Sequence, residues 1–88
     1  QGEQLFDTQQ YTEARAIFLD VQEKYPQSDQ AVNAAVNIGA SYMAEEEYRK
    51  AGDIFQGIVE KYDKETKYQI QVDFAKQQLE VMTEARVL

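Results

Sequence analysis

Residues Ala35 to Tyr62 read AVNIGASYMAEEEYRKAGDIFQGIVEKY, and their pattern decides the fold. A first apolar-periodic segment carries Val36, Ile38, Tyr42 and Met43, with a glycine at position 39. The acidic run Glu45-Glu46-Glu47 interrupts it. A second periodic segment follows, with Tyr48, Ala51, Ile54, Phe55, Ile58, Val59 and Tyr62. Apolar residues at helical spacing on both sides of a short polar break predict two amphipathic helices joined as a hairpin.

The same pattern occurs earlier in the chain. Residues 2–25 align with residues 39–62 at a spacing of 37. Eight of the 24 aligned positions are identical: Gly2/Gly39, Tyr11/Tyr48, Ala14/Ala51, Ile17/Ile54, Phe18/Phe55, Glu23/Glu60, Lys24/Lys61 and Tyr25/Tyr62. Pairs such as Val21/Ile58 and Phe6/Met43 are conservative. A fixed period in this range indicates stacked units, because one hairpin cannot bury its own apolar face.

Read in order, residues 2–8 are expected to end a first helix, and Thr8-Gln9-Gln10 to form its turn. A second helix should run from about Tyr11 to Tyr25, with Ala14, Ile17, Phe18 and Val21 facing inward. Pro26 stops it, since proline disfavours helix at the preceding residue. Ser28 or Asp29 should cap the next helix. The second hairpin is expected over about Gln30–Ala44 and Glu47–Tyr62. Gly52 and Gly57 lie inside its second helix, as close-packing residues or as points of mobility. Thr66-Lys67-Tyr68-Gln69 has the form of a capping box. It should open a last helix, about Lys67–Ala85, whose main stripe is Tyr68, Val72, Ala75, Leu79 and Met82. A second stripe, Ile70, Phe74 and Val81, points elsewhere. At the 37-residue spacing Lys76 takes the place of Gly39. The expected division is repeat 1 at 1–26, repeat 2 at 30–63 and a C-terminal helix at 66–86, either a cap or the start of a third repeat.

Gly39, Tyr42, Ala51 and Phe55 fall at the signature positions of the tetratricopeptide repeat (TPR), which this chain resembles over nearly its whole length. Asp63 departs from the family's closing proline. The common repeat has about 34 residues, and the three extra ones here fit the loop around Pro26. The run Tyr25-Pro26-Gln27-Ser28 is similar to one in a bacterial cell-envelope subset of TPR proteins. That subset includes the types found in the Tol–Pal system and in outer-membrane β-barrel assembly. In this chain one residue more separates Phe18 from Tyr25 than in that subset. The second copy, Tyr62-Asp63-Lys64-Glu65, lacks the run.

The resemblance implies an all-α fold, a right-handed superhelical array of antiparallel hairpins with about five helices. It implies a non-catalytic protein–protein interaction scaffold, with the first helix of each repeat lining a concave face. Carried over, the partner-binding residues are Phe6, Asn33, Asn37, Met43, Ile70, Asp73, Phe74 and Gln77. Glu3, Asp7, Ala40 and Ala44 lie on the same faces. The Lys/Asn clamp by which some TPR domains hold a free carboxylate keeps only Asn37. Glu3, Ile70 and Phe74 stand at other clamp positions. A face with apolar anchors and acids instead suits a protein or peptide segment carrying apolar and basic residues. Self-association through the outermost helices, giving homo-oligomers, is the alternative.

Composition sets the limits. Eighty-eight residues, 43% hydrophobic, suffice for one small folded domain, with stability expected at roughly 5 kcal/mol or somewhat more. The net charge of −7 comes with scattered basic residues, so neither a nucleic-acid stripe nor an anionic membrane surface is favoured. No apolar run approaches the ~20 residues that span a bilayer, so direct membrane insertion is not expected. Without Cys or His, a thiol nucleophile, a Cys-based zinc site and a Glu-x-x-His di-iron bundle are not available. Ser41 has no base at helical spacing except Glu45 and reads as a packing residue. Glu45, Glu46 and Glu47 do not converge on one point and read as a solvated turn, with Glu46 and Lys50 as an i,i+4 pair. No cofactor, metal or catalytic residue is expected. The chain opens at Gln1 rather than Met, as expected of a segment of a longer bacterial protein. The absence of Cys fits cytoplasm and periplasm alike, and the Tyr-Pro-x-Ser run favours the envelope.

Overall fold

The computed structural model describes residues 2–88, with side chains from Gln10 onward. Four α-helices follow one another: α1 Gly2–Lys24, α2 Asp29–Ala44, α3 Tyr48–Tyr62 and α4 Gln69–Glu84. A 3-10 turn at Thr66–Tyr68 leads into α4. No strand occurs among the described residues. Each helix packs on its chain neighbour, and α4 also touches α2. Such nearest-neighbour stacking is the mark of a helical repeat array. The Cα envelope measures 43 × 34 × 16 Å, a slab two helices thick.

Local chemistry fixes the corners. α1 ends at Lys24, before Tyr25-Pro26. The Ser28 hydroxyl donates to the Tyr25 carbonyl at 2.7 Å and accepts from the Ala31 N–H at 3.1 Å. The Tyr-Pro-x-Ser run is therefore a corner that closes one helix and caps the next. The turn after α2 is a Schellman motif: the Glu46 N–H donates to the Met43 carbonyl at 3.0 Å and the Glu47 N–H to the Tyr42 carbonyl at 2.8 Å. Glu46 takes φ 62° to make it, a left-handed conformation that costs a non-glycine residue about 1–2 kcal/mol. The same pair of bonds closes α4, from Arg86 to Thr83 and from Val87 to Met82, with Arg86 at φ 61°.

Three sequence expectations are corrected. The turn at Thr8-Gln9-Gln10 does not form: α1 is one continuous helix through it, so the described residues form four α-helices, close to the five expected. Gln9 and Gln10 are good helix formers, and this stretch has neither glycine nor proline to break the helix. The turn after α2 has help from outside, because Arg15 of α1 pairs with Glu45 at 2.7 Å. Thr8 stands at the position matching Glu45 and offers no carboxylate. The second correction is at Thr66–Gln69, where no side-chain capping bond forms and the 3-10 turn takes the place of the box. The third concerns register. α2 and α4 are both 16 residues long and end in the same motif, so their structural spacing is 40, not 37. Leu79, rather than Lys76, then matches Gly39.

The core lies between α2, α3 and α4. Ala51, Phe55, Val72 and Ala75 have no exposed surface, and Ile58 and Met82 almost none. Gly39 makes this possible. A Cβ built there would stand 2.7 Å from Phe55 Cζ and 2.8 Å from Cε1, so the ring occupies the space a side chain would need. Gly52 is also a close-packing position, with a Leu88 methyl 2.9 Å from its virtual Cβ. Gly57 is not, since nothing lies within 4 Å. Gly57→Ala should accordingly stabilise the chain by about 1 kcal/mol through helix propensity, raising Tm by roughly 4–8 °C in a thermal melt. A lowered Tm would mean that Gly57 has a packing role.

In α1 the inward face is only partly as expected. Ala14, Phe18 and Val21 are half-buried, and Ile17 is exposed. α2 is the only helix packed closely on α1 among the described residues. The outer side of Ile17, unlike that of its repeat mate Ile54, is uncovered.

Candidate partner-binding face

The face proposed from the sequence is carried by α2 and α4. Two contacts hold these helices side by side. Gln71 Nε2 donates to Asn33 Oδ1 at 3.0 Å. The Tyr68 hydroxyl donates to Asp29 Oδ1 at 2.7 Å, and its ring meets Tyr62 edge-on at 5.1 Å. The bond to Asp29, together with burial and the carboxylate's charge, holds the Tyr68 phenol above its usual range, against a smaller opposing effect of Lys67. The folded state thus favours the neutral phenol. That contribution is present at neutral pH and lost only as pH rises through the raised pKa, above the ordinary phenol value of about 10.

On α2, Asn33 and Asn37 are exposed one turn apart, and Met43 is half-buried against the core cluster. On α4, Asp73 and Gln77 are exposed, and Gln69 Nε2 donates to Asp73 Oδ1 at 3.0 Å. Ile70 is 82% exposed, Phe74 37% and Val81 48%. Phe74 has two sides: one edge meets Phe55 at 5.9 Å between ring centroids, and the rest faces solvent. It is a partly exposed apolar side chain seated directly on the core. Ile70, Phe74, Gln77 and Val81 recur at helical spacing and form one stripe. Phe6 lies outside the described side chains.

Sequence reading missed a second feature. Tyr11, Ala14 and Phe18 of α1 and Asn37, Ala40, Ser41 and Ala44 of α2 line an open, mostly apolar groove of about 360 Å³. At its edge Arg15 Nη1 donates to Ser41 Oγ at 3.0 Å and pairs with Glu45 Oε1 at 2.7 Å. The guanidinium also lies 4.3 Å from the centre of the Tyr42 ring. Ser41 donates in turn to the Ile38 carbonyl at 2.7 Å. Arg15 and Glu45 are each only 13% exposed, so Glu45 is tied down, while Glu46 and Glu47 of the acidic turn are exposed as expected. No Glu46–Lys50 pair forms among the described residues; Lys50 Nζ lies 5.7 Å from the Tyr42 ring centre.

Among the described residues no three acidic side chains group to hold a metal ion, and no helix is long and apolar enough to cross a membrane. The tetratricopeptide repeat family model matches residues 1–28 and 33–64. Searches of curated proteins and of solved structures return no match. The two matches cover more than half of the chain, and the second spans the α2–α3 hairpin with its Gly39–Phe55 packing. The chain belongs to the tetratricopeptide repeat family.

Proposed function

We propose that this chain is a non-catalytic scaffold that binds a segment of a partner protein on the face formed by α2 and α4. Repeats of this family generally mediate protein–protein interaction, and the exposed stripe on α4 supports this surface in particular. Ile70 is four-fifths exposed and Phe74 stands on the core with a third of its surface open. A wet leucine or isoleucine alone is ordinary, but an apolar row beside paired amides is how an amphipathic segment is received. Asn33 and Asn37 supply polar contacts beside the anchors. With Asp73 on the face and a net charge of −7, a segment carrying apolar and basic residues is the complementary partner.

A bacterial envelope setting rests on the Tyr25–Ser28 run. That run builds a helix corner that any compartment would require, so the proposal concerns the face and not the location.

The test uses a panel of labelled amphipathic peptides with apolar and Lys/Arg residues, followed by fluorescence anisotropy. Ile70→Asp should weaken binding of the best peptide about tenfold or more, as expected for an anchor worth over 1.4 kcal/mol, with helicity unchanged. Met43→Glu is a poorer probe, because Met43 also packs on the core. Undiminished binding by Ile70→Asp would move the site elsewhere.

A further inference from the structure

The groove between α1 and α2 has a counterpart in repeat 2 that is filled. Tyr48, Ala51 and Phe55 match Tyr11, Ala14 and Phe18 at the 37-residue spacing. In repeat 2, α2 covers them: Ala51 and Phe55 are fully buried, and the Phe55 ring seats on Gly39. In repeat 1, Ala14 and Phe18 are half-buried and face the open groove. The matching glycine exists. Gly2 stands to Phe18 as Gly39 stands to Phe55, and Phe6 stands to Ala14 as Met43 to Ala51. α1 runs unbroken from Gly2 to Lys24, so Gly2 and Phe18 are held about 24 Å apart along one helix axis. The segment whose sequence fits the groove is carried away from it.

We propose that the groove is filled by residues 2–8 of a second copy of this chain, in an exchanged dimer. The α2–α3 hairpin supplies the register. Its paired positions, 39 with 55 by contact and 43 with 51 by the same antiparallel register, are centred on residue 47. The equivalent pairs, 2 with 18 and 6 with 14, are centred on residue 10. Two α1 helices laid antiparallel about a twofold axis near Gln10 therefore repeat the α2–α3 contacts on both sides at once. The contact is self-complementary, as a closed dimer requires. Small residues at Ala40 and Ala44 leave room beside it on α2. The device follows from a hinge that stays helical. Gln9 matches Glu46, the residue that turns the second hairpin with φ 62°, and Thr8 stands where Glu45 supplies a carboxylate in that turn.

Sedimentation equilibrium of the 88-residue chain, from micromolar to near-millimolar concentration, tests this. The expected result is a monomer–dimer equilibrium. Gln9→Gly removes the penalty on a left-handed residue at the hinge, letting residues 2–8 fold back on their own groove. It should weaken the dimer about tenfold or more. Ala14→Glu should also dissociate the dimer by placing a carboxylate in the groove, with circular dichroism confirming retained helix. A monomer at every concentration overturns the proposal. A dimer that Gln9→Gly leaves unchanged also overturns it and points to another surface, the Ile70 stripe first.

Discussion

Phe55→Ala is expected to cost about 3–5 kcal/mol, nearly the whole stability of a chain of this size. Three observations set the magnitude. The side chain has no exposed surface. It fills the space left open by Gly39, so truncation leaves a cavity that the helix backbones cannot readily close. It also supports Phe74 in an edge-to-face contact at 5.9 Å and 71°, an arrangement worth about 0.5–1.5 kcal/mol beyond buried area. The variant should be largely unfolded at 25 °C by circular dichroism, or show a urea midpoint close to zero. A midpoint within 1 M of the parent would mean that Phe55 is not the keystone of the α2–α3–α4 core.

Gly39→Ala should destabilise by about 2 kcal/mol net, although alanine is the better helix former by about 1 kcal/mol. The two effects oppose each other, and distance decides between them. A Cβ at 2.7 Å from Phe55 Cζ is well inside contact distance. The ring cannot swing away cheaply, because it is rigid, fully buried and backed by Phe74. Urea denaturation measures the change. Phe55→Leu in the same chain should remove much of the penalty, giving a coupling between the two sites of at least about 0.5 kcal/mol. A neutral or stabilising Gly39→Ala would contradict the close approach of α2 and α3 at that point. Gly57→Ala provides the contrast: the same substitution in open space should stabilise.

Much of this arrangement was legible in the residues because it is local or repeated. The 37-residue identity, the small–large pair Gly39 and Phe55, the Pro26 stop and the Ser28 cap all act within a hairpin or across a corner, where spacing determines contact. The two stripes of α4 were readable from periodicity, and Tyr68, Val72, Ala75 and Met82 are buried while Ile70 and Val81 are exposed. The missed features depend on contacts distant in sequence. At residues 44–47 the turn is accompanied by a contact that spacing does not reveal: Arg15, some thirty positions away, reaches Glu45. The matching stretch at 8–10 has Thr8 in place of Glu45 and is helix. The continuous α1 then exposed Tyr11, Ala14 and Phe18 to a groove, though their repeat mates had marked them as core. The register of α4 was hidden for a different reason: the longer connection after α3 shifted the period to 40, which the helix ends reveal and the residue identities do not.

The face itself was legible as a row of positions rather than as a surface. Asn33, Asn37, Ile70, Asp73 and Gln77 are all exposed on the two adjacent helices. Phe74 is both partly exposed and a neighbour of the core, and Met43 packs chiefly against the core.

The most direct measurement is a two-dimensional NMR titration of the uniformly labelled chain with the tightest peptide of the amphipathic basic panel. The binding account predicts amide shifts concentrated at Asn33, Asn37, Ile70, Phe74 and Gln77, with the outer side of α1 around Ile17 and the exposed side of α3 around Gln56 unmoved. Shifts concentrated on α1 and α3, with α2 and α4 unmoved, would contradict it and place partner binding on the opposite side of the slab.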